Sequence, residues 1–372
     1  MDTNERVPAW VPEQAQGTFA TKELIAVPTP IRPAASSVKR SAAPDPEWLA
    51  AGVLAGDRTA LARAITLVES NSPAHRPLAR RVLEAALDRA GSSRRIGISG
   101  VPGVGKSTFI EAFGNLLCDK GHRVAVLAVD PSSQLSGGSI LGDKTRMETL
   151  SRRQECFIRP SPSAGALGGV ARKTRETILL CEAAGHDVVL VETVGVGQSE
   201  TEVRSMVDCF LLLMLAGAGD ELQGIKKGII EIADLLAVNK ADGDNRQRAL
   251  ATRAELERVV DFLSPATEGW KTPVVAISSS TRTGLDDLLA RIESLEDHLR
   301  TTGQLTARRH AQALTWWRAL VEQELRSRIL QNPELAALSE RLESKILQGR
   351  MAPSLAAEEF LAAVGGRAPA HP

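Results

Sequence analysis

The sequence predicts an α/β protein, a doubly wound and mostly parallel sheet flanked by N-terminal and C-terminal α-helical extensions. Between Arg95 and Ile277, short apolar runs alternate with helix-length stretches, the pattern of strands covered on both faces by crossover helices. On either side of that region apolar residues recur at three-and-four spacing without further strand-like runs. At 372 residues the chain exceeds the usual size of one compact domain, so a large domain with appendages is expected.

Taken in order, residues 1–44 are rich in Pro, Ala, Ser and Thr without periodicity and read as a disordered tail. Asp45-Pro46 reads as a helix N-cap followed by Pro in the first turn, opening a helical segment over 45–93. Leu61, Ile65 and Val68 continue an apolar face there after a break at Gly56-Asp57. The central domain is expected over 94–284, with six strands at Ile96–Ser99, Val124–Val129, Val188–Glu192, Phe210–Leu215, Leu235–Val238 and Val274–Ile277. Beyond Thr283-Gly284, Leu285, Leu288, Leu289 and Ile292, then Leu314, Trp317, Leu320, Val321 and Leu325, predict a helical extension over 285–372. Trp316-Trp317 and this stripe either cover one sheet face or form a dimer interface.

Bulk properties exclude several classes of partner. Lys+Arg and Asp+Glu both total 45, so there is no net field to hold a nucleic acid or an anionic membrane. Cys118, Cys156, Cys181 and Cys209 stand far apart with no Cys-x-x-Cys, which reads as four reduced thiols and neither a zinc site nor a disulfide framework. No apolar run reaches the roughly 18 residues that span a bilayer. Asp2, Glu5, Glu13 and Glu23 argue against a transit peptide, so a cytoplasmic location is expected.

The chemistry starts at Gly100-Val101-Pro102-Gly103-Val104-Gly105-Lys106-Ser107, followed by Thr108, between a predicted strand and a predicted helix. In G-x-x-x-x-G-K-[ST] the glycines let backbone N–H groups turn inward around phosphate oxygens, and the helix N-terminus adds a favourable dipole. Lys106 reaches the β/γ-phosphates and the Ser107 hydroxyl ligates Mg²⁺. The ion asks for hard oxygen ligands beside the phosphates, and Asp130 and Glu192-Thr193 end the second and third strands. Asp143 adds a carboxylate in the glycine-bearing loop 137–144; each acid alone also reads as a cap or a surface charge.

Asn239-Lys240-Ala241-Asp242 follows the fifth strand. A carboxylate at Asp242 accepts from N1–H and the exocyclic amine of guanine, whereas adenine leaves it unmatched, which favours GTP over ATP. Ser278-Ser279-Ser280 after the sixth strand is placed to add backbone contacts to the base, or is a plain serine loop. GTP/GDP and Mg²⁺ are the expected ligands.

With these motifs in place, the stretch from Leu49 to Trp317 resembles the MeaB or ArgK-type P-loop GTPases, the chaperone family of cobalamin-dependent mutases such as methylmalonyl-CoA mutase. The strings that carry the resemblance are Gly56-Asp57-Arg58 with Ala62-Arg63-Ala64-Ile65-Thr66, VAVLAVDPSS (124–133), GGSILGDKTRM (137–147), FIRPSP (157–162), ETVGVGQSE (192–200) and GAGDELQGIKKG (217–228). The resemblance implies that Ser107, Asp130, Asp143, Glu192 and Thr193 form the Mg²⁺ and catalytic centre, with Arg146 a nucleotide contact in the first switch. It implies a second switch at Gly195 to Gln198 and a partner-coupling switch at Asp220 to Lys227, with Asp220 and Lys226 its active charges. It further implies a GTP-hydrolysing chaperone that gates adenosylcobalamin loading and protects a B12-dependent acyl-CoA mutase, a contact with the cobalamin adenosyltransferase, and homodimerisation through the C-terminal helices. Gln134-Leu135-Ser136 and Ala166 depart from the family pattern, which bears on the first switch and the hydrolysis rate.

Two other readings stay open on sequence. A metal-delivery GTPase shares the fold group but calls for a Cys- or His-rich donor site, and His75, His122, His186, His298, His310 and His371 are scattered. A small-molecule or transport-protein kinase needs an acceptor pocket with a base near the γ-phosphate.

Overall fold

The computed structural model describes residues 45–129, 147–160, 167–193, 199–216 and 227–365, and all that follows concerns these. The expected tail 1–44, Asp130, Gln134–Ser136, Asp143, Arg146, Ala166, Gly195–Gln198, Asp220 and Lys226 lie outside the described residues.

Three helices come first: α1 (Pro46–Leu54), α2 (Arg58–Glu69) and α3 (Arg76–Ala86). Asp45 caps α1 by accepting from the Glu47 and Trp48 amides at 3.0 and 3.4 Å, and Asp57 caps α2 by accepting from the Ala60 amide at 2.6 Å. Leu61, Ile65 and Val68 are all buried on the face of α2 that their spacing marks.

The sheet follows, with β1 (Arg94–Gly100), α4 (Lys106–Asp119), β2 (Val124–Val129), β3 (Cys156–Arg159), α5 (Leu167–Ala183), β4 (Val188–Thr193), α6 (Ser199–Arg204), β5 (Cys209–Leu215), α7 (Lys227–Glu231), β6 (Leu235–Asn239), α8 (Arg246–Asp261) and β7 (Val274–Ala276). The strands form one seven-stranded sheet in the order β3-β2-β4-β1-β5-β6-β7, every pairing parallel. The six expected strands are all present. β3 is the addition: at four residues on the sheet edge, Cys-Phe-Ile-Arg carries too short an apolar run to announce a strand.

Alternate strand residues separate two cores, as a pleat with period two requires. Leu127, Val129, Val189, Val191, Phe210, Leu212 and Met214 pack with α1, α2, α3 and α5 on one face. Ile96, Ile98, Val126, Leu190, Leu211 and Leu213 pack with α4 on the other, together with Leu285, Leu288, Leu289 and Ile292. Those last four belong to α9 (Leu285–Thr301), so the first C-terminal helix is a sheet-covering element, and its stripe is spent on the core.

The chain ends in α10 (Gln304–Gln331), α11 (Pro333–Leu347) and α12 (Pro353–Val364). Arg308 and Arg309, near the start of α10, bind it to the sheet. Arg309 donates to both oxygens of Asp208 at 2.8 and 2.6 Å and to the Ser93 carbonyl at 2.6 Å, while Arg308 donates to the Thr267 hydroxyl at 2.6 Å. Gln312 adds a bond from its Nε2 to the Val207 carbonyl at 2.9 Å, and across the 28 residues of α10 only Leu305 is buried.

Candidate nucleotide site

The parallel sheet brings the C-terminal ends of β1, β4 and β6 to one edge, and the motif residues collect there. β1 closes at Gly100, the turn 101–105 follows, and α4 begins at Lys106. Gly100 passes against β5: a Cβ there would lie 2.6 Å from the Leu213 carbonyl oxygen, so only glycine admits this close approach. Gly105 sits at φ 92°, in the left-handed region, as the N-cap of α4 and offers no side-chain acceptor. The first-turn N–H groups of Lys106, Ser107 and Thr108 thus meet no cap from the preceding residue, which leaves them to an anion at the positive end of a 14-residue helix.

Lys106 folds back over this turn, its Nζ donating to the Gly100 carbonyl at 2.7 Å. Burial pulls the ammonium below the usual lysine value, and the carboxylates of Glu192 and Glu200 act in the opposite direction. A half-buried cation beside uncapped helix N–H groups is suited to neutralising phosphate oxygens. Val104 is fully buried, so the middle of the turn is anchored in the core.

Glu192 and Thr193 end β4, where the register sets Glu192 between Ile98 of β1 and Ala128 of β2. Glu192 is buried, 6% exposed. Thr193 is fully buried and its hydroxyl donates to Ser99 Oγ at 2.9 Å, which joins β4 to β1 just before the turn. The Ser107 hydroxyl and the Glu192 carboxylate are hard oxygen donors of the kind Mg²⁺ takes, and they fit that ion in chemistry.

β6 closes at Asn239, and this residue and the next lock the second loop onto the first. Asn239 Nδ2 donates to the Val104 carbonyl at 2.8 Å, and its Oδ1 accepts from Ser279 N at 3.2 Å and Ser279 Oγ at 2.8 Å. Lys240 stands at φ 61°, unusual for a residue with a side chain, and its Nζ donates to the Gly103 carbonyl at 2.9 Å. Asn245 Nδ2 holds the Lys240 carbonyl at 2.8 Å. The turn 100–107, the loop 239–242 and the serines after β7 therefore form one hydrogen-bonded unit.

Asp242 is half-buried, and its carboxylate is held by two of these serines. Ser278 Oγ donates to Asp242 Oδ2 at 2.6 Å and Ser280 Oγ donates to the same oxygen. Hydrogen bonds from Ser278 and then Ser280 hold the carboxyl below the usual aspartate value, so it is ionised at neutral pH. An ionised carboxylate oriented through one oxygen leaves the other to accept from a purine edge carrying two N–H donors. The sequence reading gave the serines backbone contacts to a base. The structure gives two of their hydroxyls to Asp242 and the third to Asn239, a side-chain arrangement that linear spacing does not reveal.

A parallel sheet with a lysine-bearing phosphate turn after its central strand, clasped to an Asn-Lys-x-Asp loop two strands away, defines a P-loop GTPase. Comparison with known proteins narrows the class. The family model described as "Methylmalonyl Co-A mutase-associated GTPase MeaB" matches residues 61–334. A putative GTPase of Caulobacter vibrioides is 54% identical over 313 residues, covering 84% of this chain and 96% of that protein. The GTPase ArgK of Escherichia coli is 49% identical, covering 75% and 84%, and the mitochondrial methylmalonic aciduria type A homolog of Mus musculus is 44% identical, covering 85% and 79%. A solved structure described as LAO/AO transport system kinase superposes with a TM-score of 0.71 at 37% identity, covering 86% of this chain and 97% of that one. The chain belongs to the MeaB family of P-loop GTPases. GTP hydrolysis is its enzymatic activity.

Proposed function

We propose that this GTPase serves a B12-dependent acyl-CoA mutase, foremost methylmalonyl-CoA mutase, by gating adenosylcobalamin loading and protecting the loaded enzyme. The carrying observation is the extent of the family match, which runs from α2 through the whole sheet and into α11 and so takes in the segment 217–228 as well as the nucleotide loops.

In this reading the turn 100–108 wraps the phosphates, Lys106 neutralises the β/γ-oxygens, and Asp242 reads guanine on a loop held by Asn239, Ser278 and Ser280. Ser107, Glu192 and Thr193 are the described residues that would hold Mg²⁺, which neutralises phosphate charge when bound. Asp130 and Asp143 would complete that centre and Arg146 would contact the nucleotide, while Asp220 and Lys226 would carry the signal to the partner; the family resemblance supports these roles. Loss of the γ-phosphate releases the switch segments and hands the partner a two-state signal.

The same reading includes a homodimer joined through α10, supported by the exposed stripe Leu314, Trp317, Val321 and Leu325 at helical spacing. A contact with the cobalamin adenosyltransferase belongs to the loading role. The same reading includes a cytoplasmic location.

The test uses the full chain and the B12-dependent mutase of the same organism, mixed with GDP or a non-hydrolysable GTP analogue and weighed in solution. A nucleotide-dependent complex is expected, with faster GTP hydrolysis in its presence. No association in either nucleotide state sinks the chaperone reading and leaves the GTPase assignment intact. Radiolabelled γ-phosphate released to water, with no labelled acceptor, separates this role from a kinase.

A further inference from the structure

The nucleotide loops leave the opposite edge of the sheet unexplained, and an open cavity of about 280 Å³ lies there between α5 and α10. Its lining includes Gly91 and Arg95 at the start of β1, and Ser205 and Met206 just before β5. With β1 running seven residues from Arg94 to Gly100, this cavity is roughly 20 Å from the phosphate turn.

Three arginines line the cavity and two of them are neutralised. Arg95 holds Glu182 through two bonds of 2.8 and 3.0 Å, and Arg309 holds both oxygens of Asp208. Among the described residues Arg175 has no such partner. Its Nη1 donates to the Gln312 carbonyl at 3.1 Å and its Nη2 to Ser205 Oγ at 2.6 Å, both neutral acceptors. Its Nε is closed off from water with no acceptor among the described residues. Glu202 acts on it only through space, and burial pulls the guanidinium below its usual value. The Trp316 ring lies 5.5 Å from the guanidinium carbon, and the indole N–H is likewise closed off without an acceptor. A guanidinium bonded only to neutral acceptors among the described residues, on the wall of an open cavity, forms an arrangement that an anion completes.

We propose that this cavity binds a small monocarboxylate with an apolar body, its carboxylate held by Arg175 and its body against Trp316, Ile178, Leu179 and Met206. One unneutralised guanidinium matches one negative charge, and a phosphate dianion would leave an excess. The carboxylate's planar fork suits Arg175. The volume is slightly below the roughly 300 Å³ at which ordinary ligand pockets begin, which confines the ligand to a short acid. Because Arg175 is on α5 and Trp316 on α10, an occupant adds to the contacts that join these two helices.

The experiment uses full-length protein saturated with GDP, so that the phosphate turn is filled, and titrates hexanoate against its neutral isostere hexanamide by calorimetry and thermal melting. Hexanoate is expected to bind once per chain and raise the melting temperature, with hexanamide at least about tenfold weaker. Arg175→Gln should weaken hexanoate by at least about tenfold at unchanged GDP affinity. Ala313→Phe, which fills the cavity from α10 and keeps Arg175, should block it independently. Equal binding of acid and amide, hexanoate binding that survives both variants, or no hexanoate binding up to about 10 mM each overturns the proposal.

Discussion

Replacing Asn239 with Ala removes the joint between the phosphate turn and the base loop, and the structure sets the size of the effect. The amide makes three bonds, to the Val104 carbonyl at 2.8 Å, Ser279 Oγ at 2.8 Å and Ser279 N at 3.2 Å. Asn239 is 1% exposed, Val104 0% and Ser279 7%, so water does not replace what is lost. Two ordinary bonds and one longer one contribute about 3 kcal/mol at about 1 kcal/mol each, and a stranded Val104 carbonyl adds about 1 kcal/mol or more. The expected total is about 3–5 kcal/mol, shared between the protein alone and its nucleotide complex because the joint organises both. Urea unfolding of Asn239→Ala should therefore give a midpoint lowered at unchanged slope. GDP affinity, read from a fluorescent GDP analogue, should fall by at least about tenfold with affinity for pyrophosphate falling alongside. If both the unfolding midpoint and GDP affinity stay within about twofold of wild type, the two loops are not mechanically joined and the reasoning fails.

The remaining predictions concern single groups. Asp242→Asn should lower GTP and GDP affinity by about 10–100-fold and raise relative affinity for xanthosine nucleotides, in a competition assay; an unchanged base preference would remove Asp242 as the guanine reader. Lys106→Ala should lower GTP turnover by at least about a hundredfold in a phosphate-release assay, and normal turnover would refute its phosphate role. His186 is buried, its Nδ1 donates to the Cys181 carbonyl at 3.0 Å, and burial lowers its value from 6.5 to about 4. The folded state thus binds this proton less readily than the unfolded chain. The contribution to stability is complete above pH 6.5 and is lost as pH falls from 6.5 through 4, by about 3 kcal/mol at most. Denaturant melts of wild type and His186→Gln across that window should converge at the acid end; parallel curves would contradict the buried neutral imidazole.

Much of this architecture is written in short stretches of chain. Runs such as Val188–Thr193 and Cys209–Leu215 are apolar along their whole length because a central parallel strand is buried on both faces, and six such runs suffice to announce the sheet. Gly100–Ser107 and Asn239–Asp242 are equally local, since a glycine at φ 92° or a loop at a strand end is a property of neighbouring residues. The stripe on α9 was legible as helix but not as core. The same three-and-four spacing marks α10, where Leu314 and Trp317 are 54% and 59% exposed, and only the packing of α9 against the sheet separates the two cases.

What tertiary structure alone decided is which side chains meet. Asn239 finds the carbonyl of Val104, and Lys240 that of Gly103, across more than a hundred residues of sequence. Arg175 finds Trp316 across a comparable span, and β3 becomes a strand only because β2 offers its edge. The physical reason is one of range. Periodicity and turn chemistry are set by backbone sterics and by burial of one face, and these act over a few residues. The strand order that brings β1 two places from β6, and α5 against α10, is a property of the packed sheet, and no local pattern carries it.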